Sequence, residues 1–233
     1  MPSQQKRFAI FAFQYTAVIQ IMDERNIQTT KDIVKEIKQS FRLLMNGVTA
    51  QSMRDKGMDY HINWGASLPH LREMAAEYKP DYQLALELWK ENVRECKILA
   101  TMLMPKEEFP IDLAILWTEQ TTTQEIAEIA VMNLYQYMPY AEDLALLLLS
   151  KEDYMSQIYG FSILSRLFAK GKLPESPRDI NEFLDQAIVA LHGKSLPVRH
   201  SAWNAVAHFA NIDDFCHIAA KNALKSANMD DWL

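Results

Sequence analysis

What most restricts the fold of this chain is where its prolines fall, and which small polar residues precede them. Ser67-Leu68-Pro69, Ser176-Pro177 and Ser195-Leu196-Pro197 each put a serine where a helix cap belongs and a proline in the first turn. Asp81, Pro110, Thr122 or Thr123, and Asp213 or Asp214 open further segments, while Gly47, Pro105, Pro139 and Gly193 close others. Between these marks apolar residues recur at helical spacing. Ile33, Val34, Ile37, Phe41, Leu44 and Met45, for example, form one stripe. With 6 glycines and 9 prolines in 233 residues, almost all of the punctuation sits at helix ends. No period-2 alternation flanked by turn residues occurs, so no strand is expected.

The expectation is an all-α chain of about a dozen helices joined by short connections. Short connections make consecutive helices antiparallel. A series of such pairs, at roughly 35–45 residues each, is the pattern of a HEAT-like helical-repeat solenoid, an α-α superhelix. A compact helical bundle is the other architecture the pattern allows. Residues 1–233 are expected to form one domain. The longest apolar run, Leu144 to Leu149, is far short of the ~20 residues of a membrane span. The N-terminal MPSQQKRFAIFAF reads as a first amphipathic helix, because Gln14, Tyr15 and Gln20 interrupt its apolar stretch and no small-residue cleavage site follows. A cytoplasmic location without a membrane partner is the expectation. Cys96 and Cys216 stand far apart and are expected to be buried free thiols.

Little in the sequence carries recognisable chemistry. None of the histidines falls in an HExxH spacing, and no glycine-rich phosphate loop or GxSxG elbow occurs, so neither a metal nor a nucleotide cofactor is expected. His200, Asn204 and His208 share a helix face and read as a polar stripe. In QTTTQEIAEIA (Gln120 to Ala130), Glu125 and Glu128 are spaced to share one face of a helix. Projecting residues 124–138 at about 100° per residue gathers Ile126, Ala127, Ala130, Val131, Leu134, Tyr137 and Met138 on a packed side. Glu125, Glu128, Met132, Tyr135 and Gln136 fall opposite.

Charge is unevenly distributed. Residues 118–153 hold seven acids against Lys151 alone, which equals the net charge of −6 of the whole chain. Residues 160–201 carry Arg166, Lys170, Lys172, Arg178, Lys194 and Arg199 against four acids, so a basic rim is conceivable there.

The run NWGASLPHLREMAAEYKPDYQLALELWKENVRECKILATML (Asn63 to Leu103) resembles the DNA alkylation repair family, the AlkD-type alkylpurine DNA glycosylases built from HEAT-like repeats. Gly65, Pro69, Leu71-Arg72, Leu84-Ala85, Leu88-Trp89, Arg94-Glu95 and Ile98-Leu99-Ala100 carry the likeness, which continues more weakly over roughly residues 35–225. The resemblance implies a concave, basic surface cradling duplex DNA, where a cationic alkylated purine is excised by hydrolysis of its glycosidic bond. Catalysis then needs a carboxylate beside the developing oxocarbenium ion and aromatic faces for the cation. In active members a Trp-Asp-x-x-Asp run supplies the first aromatic and the carboxylate. Aligning from Trp117 without gaps sets Gln124 at the aromatic, Glu125 at the first aspartate and Glu128 at the catalytic one. The family's arginine falls near Ile158, and Trp203 matches the last aromatic.

Three functions follow. One is a DNA- or partner-binding module with weakened or lost glycosylase activity, its DNA contacts drawn from Trp203, Arg199, Arg166 and Lys194. The second is a working glycosylase with Glu128 as carboxylate and Trp203 holding the cation. The third is a scaffold whose acidic groove takes a basic protein partner.

Overall fold

The computed structural model describes residues 28–229, so the expected N-terminal amphipathic helix lies outside the described residues. Helix α1 covers residues 28–40. After it come α2 (Gly47–Asp55), α3 (Leu68–Ala76), α4 (Tyr82–Lys90), α5 (Arg94–Leu103), α6 (Ile111–Glu119) and α7 (Gln124–Asn133). The remainder are α8 (Ala141–Leu149), α9 (Tyr154–Phe168), α10 (Pro177–His192), α11 (Leu196–Ala210) and α12 (Asp214–Ser226). Among the described residues there is no strand, only one isolated bridge between Ile62 and Val93. The class is the all-α helical repeat that the punctuation implies. No helix among the described residues is long and apolar enough to cross a membrane.

The caps work largely as expected. The side chains of Ser67, Asp81, Ser176 and Asp213 accept the backbone N–H of His70, Leu84, Arg178 and Cys216. Thr123 occupies the cap position of α7, but its hydroxyl goes elsewhere. The first apolar stripe is shorter than expected. Val34, Ile37 and Phe41 are buried, whereas Met45 is 62% exposed. The reason is a 3₁₀ turn, Phe41–Leu44, followed by an extended Met45, which breaks the 3.6-residue phase. Gly47 then starts α2, a helix the stripe does not announce.

The chain forms two compact units. Among the described residues, the first comprises residues 28–52 together with His61–Leu103. Its organising feature is the loop before α3. Arg94 and Glu95, 3% and 0% exposed, pair at 3.2 Å. The Arg94 guanidinium donates to the Ala66 carbonyl at 2.9 Å, and the Glu95 carboxylate accepts the N–H groups of Trp64 and Ala66. An ion pair this deeply buried holds only because its remaining hydrogen-bonding capacity is used. Here that capacity is used on loop backbone. Within the same loop Gly65 has φ +71°, and a Cβ there would stand 2.2 Å from the Asn46 carbonyl oxygen. Thus the Gly65 and Arg94-Glu95 elements have one structural cause: they pin the same turn.

Among the described residues, the second unit comprises Met53–Tyr60 with residues 104–229. Helix α9 is its hub and packs against α6, α7, α8 and α11. Gly160 permits the α8 contact, since a Cβ there would lie 2.8 Å from the Leu149 side chain. Phe168, Phe183 and Phe209 from α9, α10 and α11 form a ring cluster with centroids 5.0–5.6 Å apart.

Gly65→Ala should destabilise the protein by about 1–3 kcal/mol, whereas Gly47→Ala, with open space around it, should be neutral or slightly stabilising. Glu95→Ala, which leaves the Arg94 charge buried without its partner, should cost about 3–5 kcal/mol. Urea denaturation followed by circular dichroism reads all three.

Candidate functional site

The structure corrects the projection of residues 124–138. Helix α7 ends at Asn133, and Leu134 leaves helical geometry before a 3₁₀ turn, Tyr135–Tyr137. Past that break the 100° rule no longer applies. Tyr135 and Gln136, projected outward, are buried at 0% and 6%, and Tyr137, projected inward, is 49% exposed. Upstream of the break, Ile126, Ala127, Ala130 and Val131 are buried as projected.

Tyr135 turns inward because its ring and hydroxyl both find partners there. The hydroxyl donates to the Ala114 carbonyl at 2.9 Å, beside the Thr118 hydroxyl, which donates to the same oxygen at 2.9 Å. Its ring centroid lies 4.9 Å from that of Tyr159 and 5.4 Å from that of Phe109. The Thr121 hydroxyl bonds the Trp117 carbonyl at 2.8 Å and the Tyr159 hydroxyl at 2.9 Å. Burial pushes the Tyr135 and Tyr159 phenols well above their ordinary range, so they remain neutral donors. Trp117, 1% exposed, belongs to this cluster and packs on Phe109 at 5.1 Å. Together these groups fix α6, the turn after α7, and α9 against one another.

On that framework the two carboxylates part company. Glu125 accepts a hydrogen bond from the Tyr60 hydroxyl, which itself accepts one from Thr123 at 3.0 Å. Glu128 is exposed and accepts a 2.7 Å bond from the Gln124 side-chain amide. It lines a pocket of about 290 Å³ built from three helices. Helix α7 contributes Glu128 and Val131, α9 contributes Ser162, Ser165 and Arg166, and α11 contributes His200, Ser201, Asn204 and His208. The volume is near the lower end of the ~300–1,000 Å³ of small-ligand pockets.

Eight of the nine lining residues are polar or charged. His208 Nδ1 and the Ser165 hydroxyl are 2.8 Å apart, and Asn204 approaches His200 at 3.4 Å. Ser201, 2% exposed, has a hydroxyl with no protein partner. Its donor and acceptor capacity is therefore unused at the pocket wall. Other than the two imidazoles, the lining contains no aromatic ring.

Of the candidate catalytic and DNA-contact residues, the fold brings Glu128 and Arg166 to this pocket, beside the His200-Asn204-His208 stripe, and leaves Glu125, Arg199, Trp203 and Lys194 outside it. Arg199 and Trp203, one turn apart on α11, lie on a flank that the pocket does not include. Lys194 lines a separate cavity of about 250 Å³ with Tyr154 and Gln157. Ile158, aligned with the family's arginine, is 2% exposed in the core, and the arginine that lines the pocket is Arg166, two turns later on α9. The signal for the α11 wall was the His200-Asn204-His208 spacing. Its meaning depends on which helix packs opposite, and spacing does not carry that. Among the described residues no cluster of three His, Cys, Asp or Glu side chains could hold a metal ion. Cys96 and Cys216 are buried free thiols, pushed up by burial to about 12 and about 11.

A family model described as DNA alkylation repair enzyme matches residues 37–187, more than half of the chain. No curated protein matches. One solved structure, described as "a new family of proteins related to the HEAT-like repeat DNA glycosylases with affinity for branched DNA structures", is similar over 83% of this chain and 82% of its own. Its TM-score is 0.73 at 16% identity, a likeness of fold.

Asp153 caps α9, the helix that carries Arg166. Burial acts to raise its pKa, but hydrogen bonds from Ser156 and the nearby Lys151 outweigh it and hold the carboxyl below its usual range. A carboxyl depressed in the folded state contributes stability above its unfolded pKa and loses it as pH falls through the folded value. Asp153→Ala should therefore cost about 1 kcal/mol at neutral pH, with the difference from wild type closing in acid. Thermal unfolding at a series of pH values measures it.

Proposed function

This chain belongs to the DNA alkylation repair enzyme family, and from that membership we propose a DNA-binding protein, selective for branched duplexes, whose base-excision chemistry is weakened or lost. The observation that carries the reading is the set of groups around Glu128. Excising a cationic purine calls for an aromatic face against the base and a carboxylate free to meet the developing positive charge. Here the neighbour of Glu128 is Gln124, whose amide donates to the carboxylate at 2.7 Å, and the pocket wall offers only imidazole rings. Glutamate is also one methylene longer than aspartate. A displacement of ~1 Å at a reacting group can cost ~100-fold in rate.

What the pocket does offer is polar and matched to a sugar-phosphate backbone. Arg166 supplies a guanidinium, the Ser162, Ser165 and Ser201 hydroxyls and Asn204 supply neutral donors, and His200 and His208 add ring nitrogens. Branched structures enter through the fold relative, for which affinity of that kind is stated. Flexible junction strands reach a pocket of this size more readily than a base held in a stacked duplex.

A second reading, an active glycosylase, is favoured by one feature: Glu128 is exposed and shares its pocket with Arg166. The two readings give different results with one set of substrates. The full chain should bind a four-way junction about tenfold tighter than a linear duplex, ~1.4 kcal/mol. Both affinities should fall with salt, and neither 7-methylguanine nor 3-methyladenine should be released from methylated duplex. Base release abolished by Glu128→Ala establishes the enzyme instead. No binding to either DNA at low salt points to a basic protein partner for the acidic segment, since electrostatic DNA binding is strongest there.

A further inference from the structure

Apart from the Glu128 pocket, the second unit gathers cations around one exposed ring. Lys106 Nζ stands 3.6 Å from the centroid of Tyr137, and Lys170 Nζ stands 4.5 Å from the same centroid. Whichever faces they take, the two ammonium groups lie within about 8 Å of each other. Lys172 and Arg166 are close enough to act on Lys170. Burial first, then Lys172, Arg166 and Lys106, push its ammonium below the ordinary range. Lys106, Lys170, Lys172 and Arg166 are all exposed.

None of these four has a carboxylate within salt-bridge distance among the described residues. Elsewhere some cations are paired: Lys38 with Glu91, Lys90 with Glu87, Arg94 with Glu95 and Lys151 with Glu119. Glu107 and Glu108 follow Lys106 and are exposed as well, but neither closes an ion pair with these cations, so the four remain a group of like charge in a chain of net charge −6. The group is assembled from the turn before α6, the turn after α7 and the end of α9, so no single stretch of sequence displays it. Arg166 belongs both to this surface and to the wall of the Glu128 pocket, so the two adjoin.

We propose that Lys106, Lys170 and Lys172, arrayed about Tyr137 and reaching Arg166, form a phosphate-contact surface that takes the backbone of a second arm of a branched nucleic acid. This rests on the branched-DNA reading above and adds to it the place where the other arm lies. Lysines without carboxylate partners are point charges that release condensed counterions when they meet phosphates. The Tyr137 ring, on which both ammonium groups rest, holds the two lysine side chains together at the surface. A linear duplex has one axis and engages one surface. A junction has diverging axes, and the second needs a charged surface of its own.

The test uses the full chain carrying Lys106→Gln and Lys170→Gln together, both exposed and outside the Glu128 pocket. Binding to a four-way junction and to a linear duplex is measured by fluorescence anisotropy between about 50 and 200 mM salt, a range over which such contacts are resolved. Each lost phosphate contact removes about 0.9 from the slope of log affinity against log salt. The junction slope should therefore flatten by about 1.8 while the linear-duplex slope stays unchanged. Tyr137→Leu, which removes the ring that gathers the two lysines, should weaken junction binding more than linear-duplex binding, and equal weakening on both DNAs overturns the second-arm assignment. An unchanged junction slope in the double variant overturns the surface and leaves the branched-DNA reading standing. Equal flattening on both DNAs places the lysines on the first arm and overturns the second-arm assignment. Failure of the unmodified chain to bind the junction at the lowest salt overturns both. An unaltered melting temperature shows that the variants fold.

Discussion

The Ala114 carbonyl, deep in the second unit, accepts hydroxyls from both Thr118 and Tyr135, and the candidate site depends on that shared acceptor. Removing either donor leaves a buried oxygen partly unsatisfied, at a cost of about 1–3 kcal/mol. The geometric consequence reaches further. Tyr135 can reach Ala114 only if α7 stops at Asn133 and the chain turns inward. That same turn puts Tyr137 on the surface, where two lysines meet it. Thr121 and Tyr159 repeat the arrangement one turn along and tie α6 to α9. Glu128 on α7 and Arg166 on α9 are thus carried by segments that neutral hydroxyls help tie to α6, with no ion pair closing between the two side chains.

The first unit solves a different problem with a charged pair. Its irregular segment before α3 has backbone groups that no helix satisfies, and Arg94 and Glu95 satisfy three of them. A buried pair of this sort is weak evidence for stability, and removing either partner leaves the other charge buried without compensation. Gly65 completes the turn by allowing the Asn46 carbonyl to approach where a side chain would collide. These residues carry much of the family likeness, and they do so for reasons of backbone geometry. Their presence says nothing about chemistry at Glu128. Membership in the family and retention of its reaction are therefore separate questions, answered by different residues.

Much of the architecture was legible from the chain. Serine and aspartate caps, prolines in first turns and 3.6-residue periodicity are local signals, each readable within about a turn of where it acts. Helix-stop positions inside apolar stretches were not legible, as Met45 and the 135–137 turn illustrate. At both places the helix pattern continues in the sequence while a tertiary interaction breaks it. The candidate site was half legible. Glu128 and Arg166 stood out by type and alignment and the α11 stripe by its spacing, whereas Ser165 and Ser201 have unremarkable local contexts.

What the sequence by itself determined is the helical class, the caps, the acidic segment and the family, because each rests on residues close together or on an ordered pattern along the chain. Only the tertiary structure decided that Glu125 and Glu128 take different partners, that Ile158 is core while Arg166 faces the pocket, and that Lys106 and Lys170 share one tyrosine. The physical reason is range. Hydrogen bonds at a cap and the turn of a helix act over a few residues. A pocket wall or a charged surface is a sum over segments tens of residues apart, and it exists only after the core has chosen which faces to bury.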